Sequence, residues 1–504
     1  MAGIIALVAS ALLVAPPARA ARFSLVEARP AATPYLRLTG GHEVNDALGM
    51  WRVSRRDARR LRRAGLVRAA EPERRLRVEA STIDPLVDGE WWLASVGASS
   101  DSAPGPGVPV AVIDTGVDFT HPEFVARPDT RPLNAQSVVD TLGDFHGTAV
   151  ASVVGAPVNG VGMVGVYPQA SLYAYDADLS GGITNTDLIQ GIADAARLGR
   201  AVINLSVGST RPDPLLEDTV LAAVRSGALI VAASGNFGAN SAPTYPADLP
   251  HVLTVGATDH TGRAASFSSA SDGVDLAAPG VGISAAVPFL YTVDGYQFLN
   301  GTSFAAPIVS GAAALVWTLR DDLDSGQIFA VLRSSATDIA PRGFDPGTGF
   351  GMLDIPAALV RRAPNRDSTE PNDDVRLVRP GGLFAPGIAP LTSRRRTSAF
   401  VRGSVDGIED PDDVYRVWVP PRSELVVRAS NSAVRLRIWR PGTPTVTEEG
   451  AAQARDLLAS RLAHVRAANT SRAGAYYYAD VRLGRSVGSA RYQLNVRIAA
   501  PAKR

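Results

Sequence analysis

The sequence predicts an α/β protein. A mostly parallel sheet is covered by helices on both faces, with an all-β sandwich after it. Three observations lead there. First, between about residues 84 and 362, short apolar, β-branched runs (110–113, 171–175, 201–205, 228–233 and 251–255) alternate with helical patterns such as DLIQGIADAARL at 187–198 and LLEDTVLAAVR at 215–225. Continuously apolar strands interleaved with helices belong to a parallel sheet buried on both faces. Second, the period changes to two in VRLRIW at 434–439 and YQLNVRI at 492–498, as in half-buried antiparallel strands. Third, LNGTSFAAPIVSGAAALVWTL at 299–319 is almost wholly apolar after Phe304. Such a run lacks a polar face and is too short for a membrane span, so it is expected as a helix buried in a large protein, with Pro307 near its start.

The elements follow in chain order. GIIALVASALLVA and the small residues of ARA at 18–20 read as a secretory signal peptide cut after Ala20, placing the mature chain outside the cell. An uncleaved anchor is the alternative, because no Lys or Arg precedes the apolar run. Residues 21–83 are arginine-rich, and SRRDARRLRRAG at 54–65 predicts a helix capped by Ser54, supported by Asp57 and stopped by Gly65. The α/β region spans 84–362. A polar, proline-containing linker follows at 363–380, and residues 381–504 are expected as the sandwich, with one helix-like interruption near 451–466.

Composition narrows the function. The 504 residues suffice for two or three domains, and a net charge of +1 favours neither nucleic acid nor a membrane surface as partner. The absence of cysteine excludes disulfides, iron–sulfur clusters and thiolate zinc sites.

Ser303 lies where a loop enters the predicted buried helix, a place where backbone N–H groups point outward. Alone it reads as an N-cap. A serine nucleophile needs a base, and neutral imidazole suits that task near neutral pH. Of six histidines, His42, His251, His260 and His464 sit in unremarkable loop or edge contexts and His121 precedes a proline. His146 opens HGTAVASVVGA, a turn running into a helix. Asp114 ends the apolar run VAVID, where an unpaired charge would be costly. Singly, Asp114 reads as a turn residue and His146 as a helix cap.

Taken together, DTGVD, HGT and GTSFAAP, in the order Asp, His, Ser, resemble the subtilisin-like serine proteases. VAASGNFG, YPA at 245–247, ASFSS at 265–269 and LAAPG at 276–280 are further matches. The resemblance spans roughly 84–362. It implies a catalytic triad of Asp114, His146 and Ser303, with Asn236 supplying the oxyanion-hole amide. It also implies that Ser206, Val207 and Gly208 bind an extended substrate as an added strand. Ala233, Ser234 and Gly235 would then form the opposite wall of the specificity pocket and Thr244 its floor, suiting apolar or medium-sized side chains. Ala149 departs from the pattern, since many relatives carry a second histidine there; its loss bears on packing rather than chemistry.

By the same resemblance, residues 21–83 look like the family's inhibitory propeptide, a small α/β unit cut by the enzyme itself. EPND and DPDDVYRVWV resemble the pre-peptidase C-terminal domain of secreted bacterial proteases. The family implies protein or peptide substrates, a monomer, and no cofactor for catalysis. Structural calcium is left open with no site identified, and the acidic stretch 410–413 is read as a solvated loop. Two other classes stay in view: a silent binding protein keeping the fold, and another serine hydrolase such as an esterase, although the G-x-S-x-G elbow is missing.

Overall fold

The computed structural model describes residues 23–73, 84–99, 104–125, 127, 129–140, 145–339, 341–367, 369–446, 458–460, 464–484 and 488–500. The expected signal peptide and the end of the pro-segment lie outside them. The chain divides into two compact units, one ending at Ser81 and the other beginning at Thr82.

The first unit is a small α/β structure. Strands β1 (Phe23–Ala28), β2 (His42–Asn45), β3 (Met50–Ser54) and β4 (Val67–Pro72) form an antiparallel sheet in the order β2-β3-β1-β4. The helix Arg55–Arg63 starts as the sequence predicts: the Ser54 hydroxyl accepts the Asp57 N–H. It ends before Gly65, whose φ is +67°. Its buried face, Ala58 and Leu61, joins Val26, Leu36, Trp51 and Val53 in one core.

The second unit contains a seven-stranded sheet. Its strands are β5 (Val110–Asp114), β6 (Thr130–Pro132), β7 (Leu172–Asp176), β8 (Val202–Leu205), β9 (Leu229–Ala233), β10 (Val252–Thr258) and β11 (Leu276–Pro279). They run in the order β11-β10-β9-β8-β5-β7-β6, and each adjacent pair is parallel. In β5 the period of two divides the side chains: Val110 and Val112 pack on one face, Ala111 and Ile113 on the other. The helices His146–Gly155 and Thr302–Leu319 share the first core, and Asn185–Ala196 and Pro214–Arg225 cover the second. The fold class is therefore the expected one, a parallel α/β sheet with helices on both faces. Strands β12 (Ile283–Ala286) and β13 (Tyr296–Leu299) form a small hairpin ahead of the long helix.

Two expectations about that long helix change. It has 18 residues, enough to cross a membrane by length and composition, yet it lies mostly buried inside the fold. What keeps it there is packing on the sheet, since Thr302 through Trp317 are all buried. Pro307 also sits inside the helix rather than at its start. Its missing N–H leaves the Ser303 carbonyl without the usual i+4 partner. The Ser206 hydroxyl fills that gap, donating to the Ser303 carbonyl at 2.8 Å.

C-terminally, eight strands form a sandwich: β14 (Ser398–Asp406), β15 (Asp412–Val419), β16 (Ser423–Ala429), β17 (Val434–Trp439), β18 (Leu458–Ser460), β19 (His464–Asn469), β20 (Ala475–Leu483) and β21 (Ser489–Ala499). Two four-stranded sheets, β14-β21-β16-β19 and β15-β20-β17-β18, enclose one apolar core. Where a helix-like interruption is expected near 451–466, the described residues are strand (β18 and the start of β19); the rest lies outside them. Residues 363–380 are not a free linker. Asn372, Val375 and Val378 are wholly buried, and the two valines pack on Val414, Trp439 and Tyr478. Nor is 410–413 a solvated loop: Asp412 and Asp413 open strand β15 and are buried.

Candidate active site

The carboxyl ends of β5, β8 and β9 converge on the starts of two helices. Asp114 closes β5 and is 1% exposed. Its Oδ1 accepts the Thr115 N–H at 2.9 Å and the His146 Nδ1–H at 2.8 Å. A buried carboxylate on one imidazole nitrogen fixes the tautomer that leaves Nε2 able to take a proton. The His146 ring lies against Phe304, centroids 5.7 Å apart. That places it at the first turn of Thr302–Leu319, where Ser303 is the second residue. In the resting structure the Ser303 hydroxyl donates to the Ser206 carbonyl at 3.3 Å.

The loops carrying Asp114 and His146 are tied together by Asp140. One of its oxygens accepts from Thr115 Oγ1 at 2.9 Å; the other accepts from the N–H (2.8 Å) and hydroxyl (2.5 Å) of Thr148. Thr115 Oγ1 in turn accepts the Gly147 N–H at 2.8 Å. Burial pushes the Asp140 carboxyl up to about 7 against these hydrogen bonds. Nothing in its local sequence singles Asp140 out, because its role depends on a contact 25 residues away.

Asn236 follows β9 at the surface. Its Oδ1 accepts from both the N–H (2.9 Å) and the hydroxyl (3.0 Å) of Thr302. A carboxamide anchored through its oxygen keeps its Nδ2 hydrogens for another acceptor beside Ser303. Two glycines make this approach feasible. Gly301 has φ +152°, and a Cβ there would stand 3.4 Å from Asn236 Nδ2. Gly235 has φ +106°, and a Cβ there would come within 2.9 Å of Thr244 Cγ2 and Ser269 Oγ.

The residues expected to line the pocket occupy two flanking segments. Val207 is half-buried and Gly208 exposed beyond β8; Ser209 then pairs with Tyr245 through backbone hydrogen bonds of 2.9 and 2.7 Å. On the other segment, Ala233 ends β9. Ser234 Oγ donates to the Ser269 carbonyl at 3.1 Å, and the Thr244 hydroxyl donates to the Ser234 carbonyl. These hydroxyls are committed to the protein, which leaves an uncharged wall of small residues.

Sequence reading also missed a buried polar chain behind Ser303. Ser310 donates to Asn204 Oδ1 at 2.8 Å, Asn204 Nδ2 donates to Ser206 Oγ at 3.0 Å, and Ser206 Oγ donates to the Ser303 carbonyl. Asn204 and Ser310 are 0% exposed. The available signal was Asn204 itself, a lone amide in the apolar run AVINL. Of the other histidines, His121 is wholly buried and its Nε2 meets the Gly295 carbonyl at 3.0 Å.

Comparison with known proteins fits this arrangement. Residues 105–351 match the model of the subtilase family. The chain is 40% identical over 257 residues to subtilisin BL of Lederbergia lenta, covering 50% of this chain and 91% of that one. The chain belongs to the subtilase family. Another relative, an alkaline protease of Shouchella clausii, is 39% identical over 255 residues, covering 50% of this chain and 64% of its own. Among solved structures, the psychrophilic subtilisin-like protease Apa1 from the Antarctic psychrotroph Pseudoalteromonas sp. AS-11 aligns with TM-score 0.49 and 20% identity, over 53% of this chain and 96% of that one. As a subtilase, the chain is a serine endopeptidase that acts on peptide substrates and needs no cofactor for catalysis.

Proposed function

We propose that the protein is a secreted endopeptidase made as a self-processed precursor, with Asp114, His146 and Ser303 as its triad. The observation that carries this reading is the hydrogen bond of 2.8 Å from His146 Nδ1 to Asp114 Oδ1, made at the mouth of the helix that presents Ser303. His146 takes the Ser303 proton as Oγ attacks the scissile carbonyl. The oxyanion is met by the Asn236 amide and the Ser303 N–H. The tetrahedral species collapses to an acyl-enzyme, and the leaving amine receives its proton from His146. Water, activated by the same imidazole, releases the acid. Asp114 orients the ring and stabilises its cationic form.

Substrate lies extended along residues 206–208, pairing by main-chain hydrogen bonds. Its side chain faces Ala233, Ser234, Gly235 and Thr244, a small uncharged setting suited to apolar or medium-sized groups. The apolar N-terminal segment ending in ARA directs export and is removed after Ala20. Residues 21–83 act as an intramolecular inhibitor until cut, and the mature enzyme works as a monomer. The test is labelling of the purified chain with a fluorophosphonate probe, followed by peptide mapping and a panel of peptide and ester substrates. Modification at Ser303 with peptide turnover is expected; labelling elsewhere, or ester turnover alone, overturns the reading.

A further inference from the structure

Charge in the sandwich is sorted by depth. Residues 381–504 carry 20 basic and 10 acidic groups. Glu409, Asp412, Asp413 and Asp480 are buried, so much of the acidic share is turned inward while the cationic excess meets water. On the outer face of the sheet β14-β21-β16-β19, the period of two in β21 presents Arg491, Gln493, Asn495 and Arg497, while Tyr492, Leu494 and Val496 enter the core. Arg402 of β14 lies opposite Gln493, and Ser404 lies opposite Arg491. Arg402 and Arg491 are therefore diagonal neighbours on one face.

That face runs into a cleft. Two cavities of about 350 and 760 Å³ share Asn365 and Arg491. Arg402 and Arg491 line the first; Arg361, Arg362 and Arg491 line the second, which lies between the α/β layer and the sandwich. All four arginines are exposed, and among the described residues neither cavity is lined by an Asp or a Glu. Arg361 is anchored through its Nε on Ser334 Oγ at 3.2 Å. Cations gathered in a cleft without acids repel one another and concentrate a field that draws anions in.

We propose that this cleft and the adjoining sheet face bind an acidic polysaccharide, whose carboxylate or sulfate groups are held by Arg361, Arg362, Arg402 and Arg491. The arginines reach too far for one small anion: Arg491 and Arg497 alone stand about 20 Å apart along β21, at about 3.4 Å per residue. Guanidinium forks match paired oxyanion oxygens. Between them, Asn365, Ser404, Ser430 and Gln493 line the first cavity with amide and hydroxyl groups suited to sugar hydroxyls. The cavity offers no open aromatic face on which bases could stack. Its one aromatic, Tyr492, is buried, and the hydroxyl is used on Asp413 and Tyr415. Nor does that cavity present a large apolar side chain to anchor a peptide. Such binding holds the peptidase on a polymer-bearing surface and raises its effective concentration there.

The experiment uses the full chain carrying Ser303→Ala, so that self-digestion does not confuse the readout. Binding of polygalacturonate and dextran sulfate is titrated by calorimetry, with neutral dextran, single-stranded DNA and polyglutamate as comparisons. The parent is expected to bind both acidic polysaccharides, more weakly as salt rises, and to prefer them to all three comparisons. Adding Arg402→Gln and Arg491→Gln should weaken that binding roughly 10–100-fold. Arg422→Gln with Arg472→Gln removes the same charge from exposed positions at the other end of β16 and should change it little. Equal losses in the two double variants would mean attraction to net charge alone and overturn the proposal. Equal or tighter binding of neutral dextran, DNA or polyglutamate overturns it as well. Should the cleft double variant not fold, Arg362→Gln decides, because residue 362 lies outside any helix or strand; unchanged affinity in that folded chain overturns the proposal equally.

Discussion

Ser206 and Ser303 are joined twice: the Ser206 hydroxyl donates to the Ser303 carbonyl at 2.8 Å, and the Ser303 hydroxyl donates to the Ser206 carbonyl at 3.3 Å. The first bond exists because Pro307 cannot supply the helical N–H to residue 303. Ser206→Ala should therefore orphan a buried carbonyl, costing about 1–3 kcal/mol of stability. It should also lower kcat by loosening Ser303, the proposed nucleophile. Pro307→Ala in the same chain restores an N–H at the i+4 position and should recover part of both losses. A double-mutant cycle in thermal melts and kcat checks this; strictly additive effects would refute the link.

Asn236 is held by its oxygen, so its two ends can be tested apart. Asn236→Asp keeps the acceptor for Thr302 but removes the Nδ2 donor. We expect a loss of about 10²–10³ or more in kcat, the loss seen in subtilisin itself, with KM and melting temperature little changed. Ser303→Ala should abolish turnover while the chain still folds. Wild-type rates in either purified variant would exclude the assigned role.

Glu90 supplies a pH test of stability. It is 3% exposed and accepts the Val164 N–H at 3.3 and 3.2 Å and the Ser284 hydroxyl at 3.1 Å. Burial pushes it up to about 7, and Glu123 and Asp84 repel its charged form. Because its folded pKa lies above the ordinary 4.5, the fold binds the proton more tightly than the unfolded chain does. Stability thus declines as pH rises from about 4.5 to 7 and stays reduced above that. Glu90→Gln keeps the shape and the hydrogen bonds without the charge. It should raise stability by up to about 3 kcal/mol at pH 8 and by almost nothing at pH 4. Denaturant melts at both values measure it; an equal effect at the two would count against the buried-charge account.

The pro-segment test rests on charge. Residues 21–83 carry 14 basic and 7 acidic groups, whereas residues 84–362 carry 12 basic and 28 acidic. The isolated segment added in trans should inhibit the mature enzyme, with an association rate that drops as salt rises past about 0.15 M. Self-cleavage is expected between about residues 79 and 83, a window outside the described residues, and should be absent in Ser303→Ala. N-terminal sequencing well outside that window, or an on-rate indifferent to salt, would sink the idea.

The sequence by itself determined the layer architecture, the central strands and main helices of the α/β region and, through a family resemblance, the candidates Asp114, His146, Ser303 and Asn236. Each is written locally: apolar runs of strand length, a capping serine, a glycine before a helix, short motifs in a fixed order. Local patterns survive in one dimension because they answer to backbone geometry and burial at their own position. Only the tertiary structure decided the rest. Asp140 ties together loops that it neighbours in space but not in sequence. Pro307 made Ser206 a support for the Ser303 carbonyl, which no window of residues around either one contains. His251 read as an edge histidine until the fold set it against Asp373, 122 residues away. The stretch at 410–413 read as solvated because acidic runs usually are. Its Asp412 and Asp413 are buried where 367–373 and the sandwich meet, and whether a charge meets water or another charge is settled only when distant segments meet.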